Sequence, residues 1–533
     1  MKLQYRILSV ALAATLLTSC GASKKTTAAA PVPTTITAKK GELAEKDLER
    51  WSHLDIYKDS IPGMSVDRAY EELLKGKKGQ KVIVGIVDSG VDIDHEDLQG
   101  MIWTNPKEIA GNNIDDDKNG YVDDIHGWNF LGDANDENLE MVRIVKKGDD
   151  GSADYKKAKA DFDEEYQQAL AGKMQVDFIF GANDAIKKHL GKENYTLDEL
   201  KAISTTDANL NRSKMVMTQV IGQTGPSFNE DLNEYKKQVD DQINYNLNKD
   251  FNGRKIVGDN PEDITDTKYG NNRVYAPNKE DSMHGTHVAG IIAQVRGNGK
   301  GGDGVASTAE IMAVRAVPNG DEYDKDIALA IRYAVDNGAK VINGSFGKSF
   351  SPHKQWVYDA IKYAASKDVL IVHAAGNDSH DIDLDMYKNF PNDSEDGGKT
   401  EMSDNLLTIG ALNNTYGENL VAGFSNYGTY NVDVFAPGSK IYATVPNNKY
   451  KYEQGTSMAS PNAAGVATLI RSYYPNLTAS QVKHILMDSG TPITVPVKVG
   501  EEKETRTFDK VCRSGKIINA YNALKMAEQL SKK

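Results

Sequence analysis

Acyl transfer needs a nucleophile at an anion-stabilising position, a base beside it and an acid to orient the base, and this sequence offers one candidate for each. Ser457 lies in Gly455–Pro461 (GTSMASP), and an apolar run follows at helical spacing: Ala463, Ala464, Val466, Ala467, Leu469 and Ile470. The spacing predicts that Ser457 stands where a loop becomes a helix. The first turn of a helix has unpaired N–H groups and the positive end of the dipole. A serine there can attack a carbonyl while its own N–H faces the oxygen that turns negative. Pro461 is compatible, because early helical positions need no intrahelical N–H partner. An ordinary N-capping serine has the same signature, so the reading depends on partners elsewhere.

Those partners need elements to position them. Val82–Val87 is a β-branched run with no polar face and reads as a buried parallel strand. Asp88 ends it, at the strand end where open α/β sheets build their sites; before Gly90 it also fits a turn. A helix of small apolar residues begins near Met283, with His284 at its entrance and His287 one turn in. No glutamate accompanies the two histidines in a zinc-type HExxH arrangement. His284 is therefore the candidate base and His287 a supporting residue. A further buried strand, Val369–Ala374, runs into Ala375, Gly376 and Asn377, whose amide can donate two hydrogens. Gly297–Gly302 matches a dinucleotide fingerprint formally, but it follows a helix and leads into a strand, the reverse of what that fold requires.

Between Asp88 and His284 lie two other features. In IDDDKNGYVDD, the oxygen-bearing residues Asp115, Asp117, Asn119, Tyr121, Asp123 and Asp124 surround Gly120, a pattern suited to a hard cation such as Ca2+. His126 stands where an EF-hand would carry glutamate, and a solvated acidic turn is the alternative. Residues 134–276 are polar and helical in period, with narrow apolar stripes (Phe162, Tyr166, Leu170; Leu232, Tyr235, Val239, Ile243, Leu247) and a denser patch over 174–180. They read as a helical insertion.

The 533 residues carry 63 Lys+Arg against 76 Asp+Glu, a net charge of −13, which argues against a nucleic-acid partner. Two cysteines exclude a disulfide framework. Residues 1–20 have a basic start (Lys2, Arg6), a short apolar run and then Leu17-Thr18-Ser19-Cys20, in outline a bacterial export signal. Its end resembles a lipobox, which makes Cys20 the expected lipidation site and the chain an exported lipoprotein of the cell envelope, held to a membrane. Residues 21–45 read as a tether rich in Thr, Ala, Lys and Pro.

Taken together, the chain resembles the subtilisin-like serine endopeptidases. The resemblance rests on VIVGIVDSGVD (82–92), HGTHVAG (284–290), INGSFG (342–347), AAGN (374–377), FSNYG (424–428), APG (436–438) and GTSMASP (455–461), in that order. It implies a three-layer α/β sandwich with a mostly parallel central sheet, formed by residues 46–133 and 277–530, with 134–276 inserted. It also implies a triad of Asp88, His284 and Ser457, an oxyanion hole from Asn377 and the Ser457 N–H, and no catalytic cofactor. Extended polypeptide would bind along Ser345, Phe346 and Gly347 and against Ala375 and Gly376. Two departures stand out: the segment before residue 46 leaves no room for the family's chaperone-like propeptide, and the insertion is long. Two other functions fit the same sequence, a catalytically silent binding scaffold and an esterase or amidase acting on small substrates.

Overall fold

The computed structural model describes residues 36, 39, 41–225, 228–394 and 400–532. Cys20, the expected export signal and most of the expected tether lie outside the described residues.

The fold is built around β1 (Val82–Asp88). Its side chains alternate between two cores, as the pleat requires. Val84 and Ile86 enter one core with the helices Met283–Ala293 and Thr456–Tyr473. Ile83 and Val87 enter the other with the helices Asp324–Asp336 and Lys354–Ser366. A run that is apolar at every position is thus explained by a sheet covered on both faces, and the architecture is three layers.

The other strands of this sheet are β2 (Gly127–Asn129), β3 (Ala309–Arg315), β4 (Val341–Gly344), β5 (Leu370–Ala374), β6 (Leu406–Leu412) and β7 (Val434–Pro437). Two hairpins outside it follow, β8 (Ile441–Val445) with β9 (Lys449–Glu453), then, after β10 (Thr491–Pro492), β11 (Val497–Val499) with β12 (Glu504–Arg506). β13 (Lys516–Ile517) completes the set. The order in the nine-stranded sheet is β10-β13-β7-β6-β5-β4-β1-β3-β2, and only the β10–β13 pair is antiparallel. β1 therefore lies between β3 and β4, where the strand order reverses. Its carboxyl end, Asp88, sits at the crevice that such a reversal opens.

Between β2 and the helix carrying His284 the chain leaves the sandwich. It forms the helices Glu140–Lys147, Ala153–Leu190, Leu197–Ala202, Ala208–Thr224 and Phe228–Asp241. The second has 38 residues, a length of about 57 Å at the usual rise. Of the expected stripes, Phe162, Leu232, Val239 and Leu247 are buried, while Tyr235 is half exposed. The 174–180 patch divides: Val176 packs inward, and Met174 and Phe178 face outward because neighbouring helices cover only one side of the long helix. The lower part packs on the sandwich through Phe350, while the outer part, around Ile186, Tyr195 and Ile221, has a small core of its own.

The returning chain packs against the sandwich. Arg254 forms buried ion pairs with Asp326 (2.5 Å) and Asp259, Lys325 pairs with Asp259 at 2.7 Å, and the Tyr269 hydroxyl donates to Asp326 at 2.6 Å. Every charge in this group has an opposite neighbour, the condition under which buried ions are tolerated.

Candidate active site

The Asp88 side chain is 1% exposed, and its Oδ1 accepts from the Ser89 N–H at 2.7 Å. The same oxygen lies 2.7 Å from Nδ1 of His284, whose side chain is 38% exposed. The contact depends on Gly285. A Cβ there would lie 2.2 Å from the Gly90 carbonyl oxygen and 3.1 Å from Asp88 Oδ1, so a side chain would push the helix off the strand end. His287 points the other way. Its Nε2 lies 3.1 Å from the carbonyls of Ile441 and Lys451, and burial lowers its pKa to about 4. It is a neutral brace between the helix and the β8–β9 hairpin. For His284, burial opposes the charged form, but the Asp88 carboxylate and its hydrogen bond outweigh this and raise the pKa above the ordinary value.

Ser457 is the second residue of the helix Thr456–Tyr473, whose N-cap is Gly455. Its carbonyl accepts from Ser345 Oγ at 2.9 Å, and its own Oγ donates to the Ser345 carbonyl at 3.4 Å. Ser460 Oγ donates to Asn343 Oδ1 at 2.7 Å, and Asn343 Nδ2 donates to Ser345 Oγ at 2.9 Å. These bonds stitch the helix start to β4 and its extension.

Asn377 is exposed beyond β5. Its Oδ1 accepts from the N–H of Thr456 (2.8 Å) and from Thr456 Oγ1 (3.0 Å). With the oxygen occupied, Nδ2 is left to donate outward. Gly455 explains what lies in front. With φ +151, a Cβ there would stand 3.5 Å from Ser457 N and 3.6 Å from Asn377 Nδ2. Glycine therefore keeps open the one space that both donors face, which suits a developing oxyanion. Thr456 was not singled out from sequence, because its role depends on a contact with a residue 79 positions away.

Ser345, Phe346 and Gly347 continue β4 without a strand partner and line the cleft together with Asp88 and His284. The Phe346 carbonyl is 2.7 Å from His373 Nε2, and Gly347 is exposed. The expectation for Ala375 needs correction. It is fully buried, its N–H bonds to Ile409, and its carbonyl accepts from Asn389 and Asn426, so it offers substrate nothing. Gly376 likewise spends its N–H on Thr456 Oγ1 and its carbonyl on the Asn426 N–H, leaving only its surface.

The insertion reaches this cleft. Glu230, Glu234 and Lys237 of the helix Phe228–Asp241 line it. Lys237 pairs with Asp281 (3.9 Å) on one rim, and Glu234 pairs with Lys451 (3.2 Å) on another. The insertion lies between Asp88 and His284 in the chain, and its helix Phe228–Asp241 forms part of the cleft wall.

The acidic loop is only partly what its pattern suggested. Asp115 and Asp117 converge with Glu108, with oxygens mutually within 4.8 Å. Glu108 lay outside the motif and gave no spacing signal. Asp123 turns away to accept from the N–H groups of Gly111 and Asn113, and the Tyr121 ring packs edge-on against Trp128, Phe130 and Tyr333. Asp124 is buried and accepts from Tyr333, Asn105 and Asn119, and burial raises it to about 6. Asn119 spends its amide on Asp124 and its Oδ1 on the Tyr121 N–H. The side-chain oxygens of Asp123, Asp124 and Asn119 are thus engaged in holding the loop, and those of Asp115 and Asp117 also accept from the N–H groups of Asn119 and Gly120.

A sequence profile described as the Subtilase family matches residues 79–510. The chain belongs to the subtilase family. Among similar proteins, "Thermophilic serine proteinase" of Bacillus sp. (strain AK1) is 38% identical over 54% of this subtilase and 60% of its own length. "Subtilisin-like protease 1" of Plasmodium falciparum (isolate 3D7) is 30% identical over 55% of this chain and 42% of its own. "Cell wall-associated protease" of Bacillus subtilis (strain 168) is 38% identical over 42% of this chain and 23% of its own. The chain thus spans no more than 60% of the length of these relatives.

The His284 geometry sets a pH dependence. A base must be neutral to accept a proton, and His284 loses its proton only above the ordinary histidine value of about 6.5. The kcat/KM for a peptide substrate is expected to rise through a midpoint above that value. In Asp88→Asn the opposing charge is gone and burial dominates, so the midpoint should move down. A parent midpoint below 6, or an unmoved midpoint in the folded variant, contradicts the assignment.

Proposed function

We propose that this subtilase is a serine endopeptidase that hydrolyses extended polypeptides through an acyl-enzyme. The observation that carries the reading is the 2.7 Å bond between Asp88 and His284 at a cleft also lined by Ser345, whose carbonyl accepts from Ser457 Oγ at 3.4 Å, while Gly455 leaves space before Ser457 N and Asn377 Nδ2. Ser457 Oγ attacks the peptide carbon while His284 takes its proton. The carbonyl oxygen becomes an oxyanion held by the Ser457 N–H and Asn377 Nδ2. His284 then gives its proton to the amine as the C–N bond breaks. Water, deprotonated by the same imidazole, cleaves the resulting ester and restores Ser457. Asp88 fixes the tautomer and stabilises the imidazolium. Substrate adds as a strand beside Ser345–Gly347, a geometry that favours extended over folded chains.

Two accessory properties belong to this proposal. Glu108, Asp115 and Asp117 offer a hard, all-oxygen donor set that fits Ca2+, which would fasten the loop after Trp103. The N-terminal pattern ending at Cys20 supports export and lipid attachment, with residues 21–45 as tether. No helix of the described residues is long and apolar enough to cross a membrane.

A fluorophosphonate probe is expected to label the protein at Ser457 and to leave Ser457→Ala unlabelled; equal labelling would falsify the nucleophile. A calcium chelator should lower the melting temperature of the parent, because a ligand bound only by the native state stabilises it. Asp115→Ala with Asp117→Ala should abolish that sensitivity, and a parent indifferent to chelator rejects the site. Intact-mass and fractionation measurements on cells expressing the parent should find an acylated, membrane-associated protein. Cys20→Ser should lose both properties, and an unacylated parent overturns the anchor.

A further inference from the structure

We infer that the cleft selects polypeptides carrying a cationic side chain, lysine or arginine, and that Glu322 is the specificity-determining residue that meets it. The inference rests on the peptidase reading of the same cleft.

Glu322 lines the cleft with His284 and Ser345–Gly347 and is 3% exposed. Its main chain is firmly held. The Glu322 carbonyl accepts from Lys348 Nζ at 2.8 Å and Arg143 Nη2 at 3.2 Å. The Asp321 carbonyl accepts from Arg143 Nη1 at 3.0 Å, and Asp321 Oδ2 accepts from the Glu140 N–H at 2.7 Å. Glu140 and Arg143 belong to the first helix of the insertion, so the insertion sets the position of this rim. The Glu322 carboxyl accepts a hydrogen bond from its own backbone N–H and makes no ion pair with any described residue. The two nearby cations are engaged elsewhere: Lys348 lies 2.8 Å from Glu140 and 3.0 Å from Asp324, and Arg143 lies 2.5 Å from Glu140.

A buried carboxyl without an ion-pair partner is costly to ionise, and a substrate ammonium or guanidinium is the group that would satisfy it best. The remaining charge of the cleft points the same way. Lys237 is paired with Asp241 and Asp281, and Lys451 with Glu234 and Glu453. Glu230 and Glu280 line the cleft without an ion pair to any described residue, opposed there by Lys449. An anionic substrate side chain would meet repulsion, which contributes to selectivity as much as the attraction does.

The groups facing Glu322 also give the selectivity a pH dependence. Burial raises its pKa to about 8; Lys348 and the hydrogen bond from its own N–H oppose this, and Asp321 and Asp324 add to it. Across from it, Glu140 and Arg143 form a pair of opposite sign, and Tyr323 is held neutral by burial. Deprotonated Glu322 attracts a cation more strongly than the neutral acid, so discrimination should grow as pH rises through that value. Comparing two substrates on one enzyme cancels the titration of His284.

The test uses the full chain and internally quenched peptides that differ only in arginine or norleucine, placed in turn at four positions before the cleaved bond. At the preferred position the arginine-to-norleucine ratio of kcat/KM should be about tenfold or more at pH 9 and smaller at pH 7. In Glu322→Gln the ratio should collapse toward one and lose its pH dependence, and Glu322→Lys should favour a glutamate peptide instead. Ratios near one at every position in the parent, or an unchanged ratio in a folded Glu322→Gln, overturn the inference. Should neither variant fold, the pH rise in the parent decides, and its absence also overturns it. Failure of the peptidase reading is distinguishable: the norleucine peptide would then go uncut, or be cut equally by Ser457→Ala.

Discussion

The hydrogen bond between Asp88 and His284 joins residues 196 positions apart, and the fold can be understood as the means of making it. Asp88 must end a strand that cannot move, which is why β1 lies between β3 and β4 and is covered on both faces. His284 must enter on a helix close enough to touch that strand end, which is why Gly285 has no side chain to hold the two apart. Ser457 opens a third element, and the contacts of Ser345 and Asn343 hold that helix start. Each condition concerns a terminus: the site forms where one strand ends and two helices begin. Backbone N–H groups and the ends of dipoles are available there without special construction.

The insertion exploits a weak constraint on that design. The chain between Asp88 and His284 needs only to leave and return near the same crevice, and closure entropy grows slowly with loop length. A long excursion is tolerated provided its ends are satisfied. Here they are, by buried ion pairs around Arg254 and Lys325 on the returning side and by Glu140 and Arg143 on the outgoing side. The second group holds Asp321 and Glu322, so an element that began as a connection also determines the shape and charge of the rim.

The proposed catalytic residues each carry a local signature. An apolar run ending in an acid, a histidine before small helical residues and a serine opening a helix can all be read without knowing what they touch. The three layers followed from β1 being apolar on both faces. What escaped was relational. Thr456 orients Asn377, Glu108 joins Asp115 and Asp117, and Glu322 faces the cleft only because side chains far away in sequence bring them there. The acidic loop shows the opposite case: its spacing offered six ligands, yet Asp123 and Asp124 are spent on holding the loop together, and the Tyr121 ring belongs to an aromatic core. Ala375 was likewise assigned to substrate binding by resemblance, whereas the sheet places it inside.

Leu139 donates its N–H to the carbonyl of Asn246 at 2.9 Å, so the chain enters and leaves the helical excursion through a neck one hydrogen bond wide. A neck of that kind makes the helices above it a portable cassette: a hairpin turn could replace them, or a different set of helices could be grafted in, with little demand on the strands below. The limit of exchange is also visible. Glu140–Lys147 sits at the neck and is bonded into the rim through Glu140 and Arg143, and Phe162 beyond it packs with Phe350 of the sandwich, so the interchangeable part is the outer set of helices around Ile186, Tyr195 and Ile221. Lineages that enlarge or trim those helices can alter what reaches the cleft while inheriting the same catalytic floor.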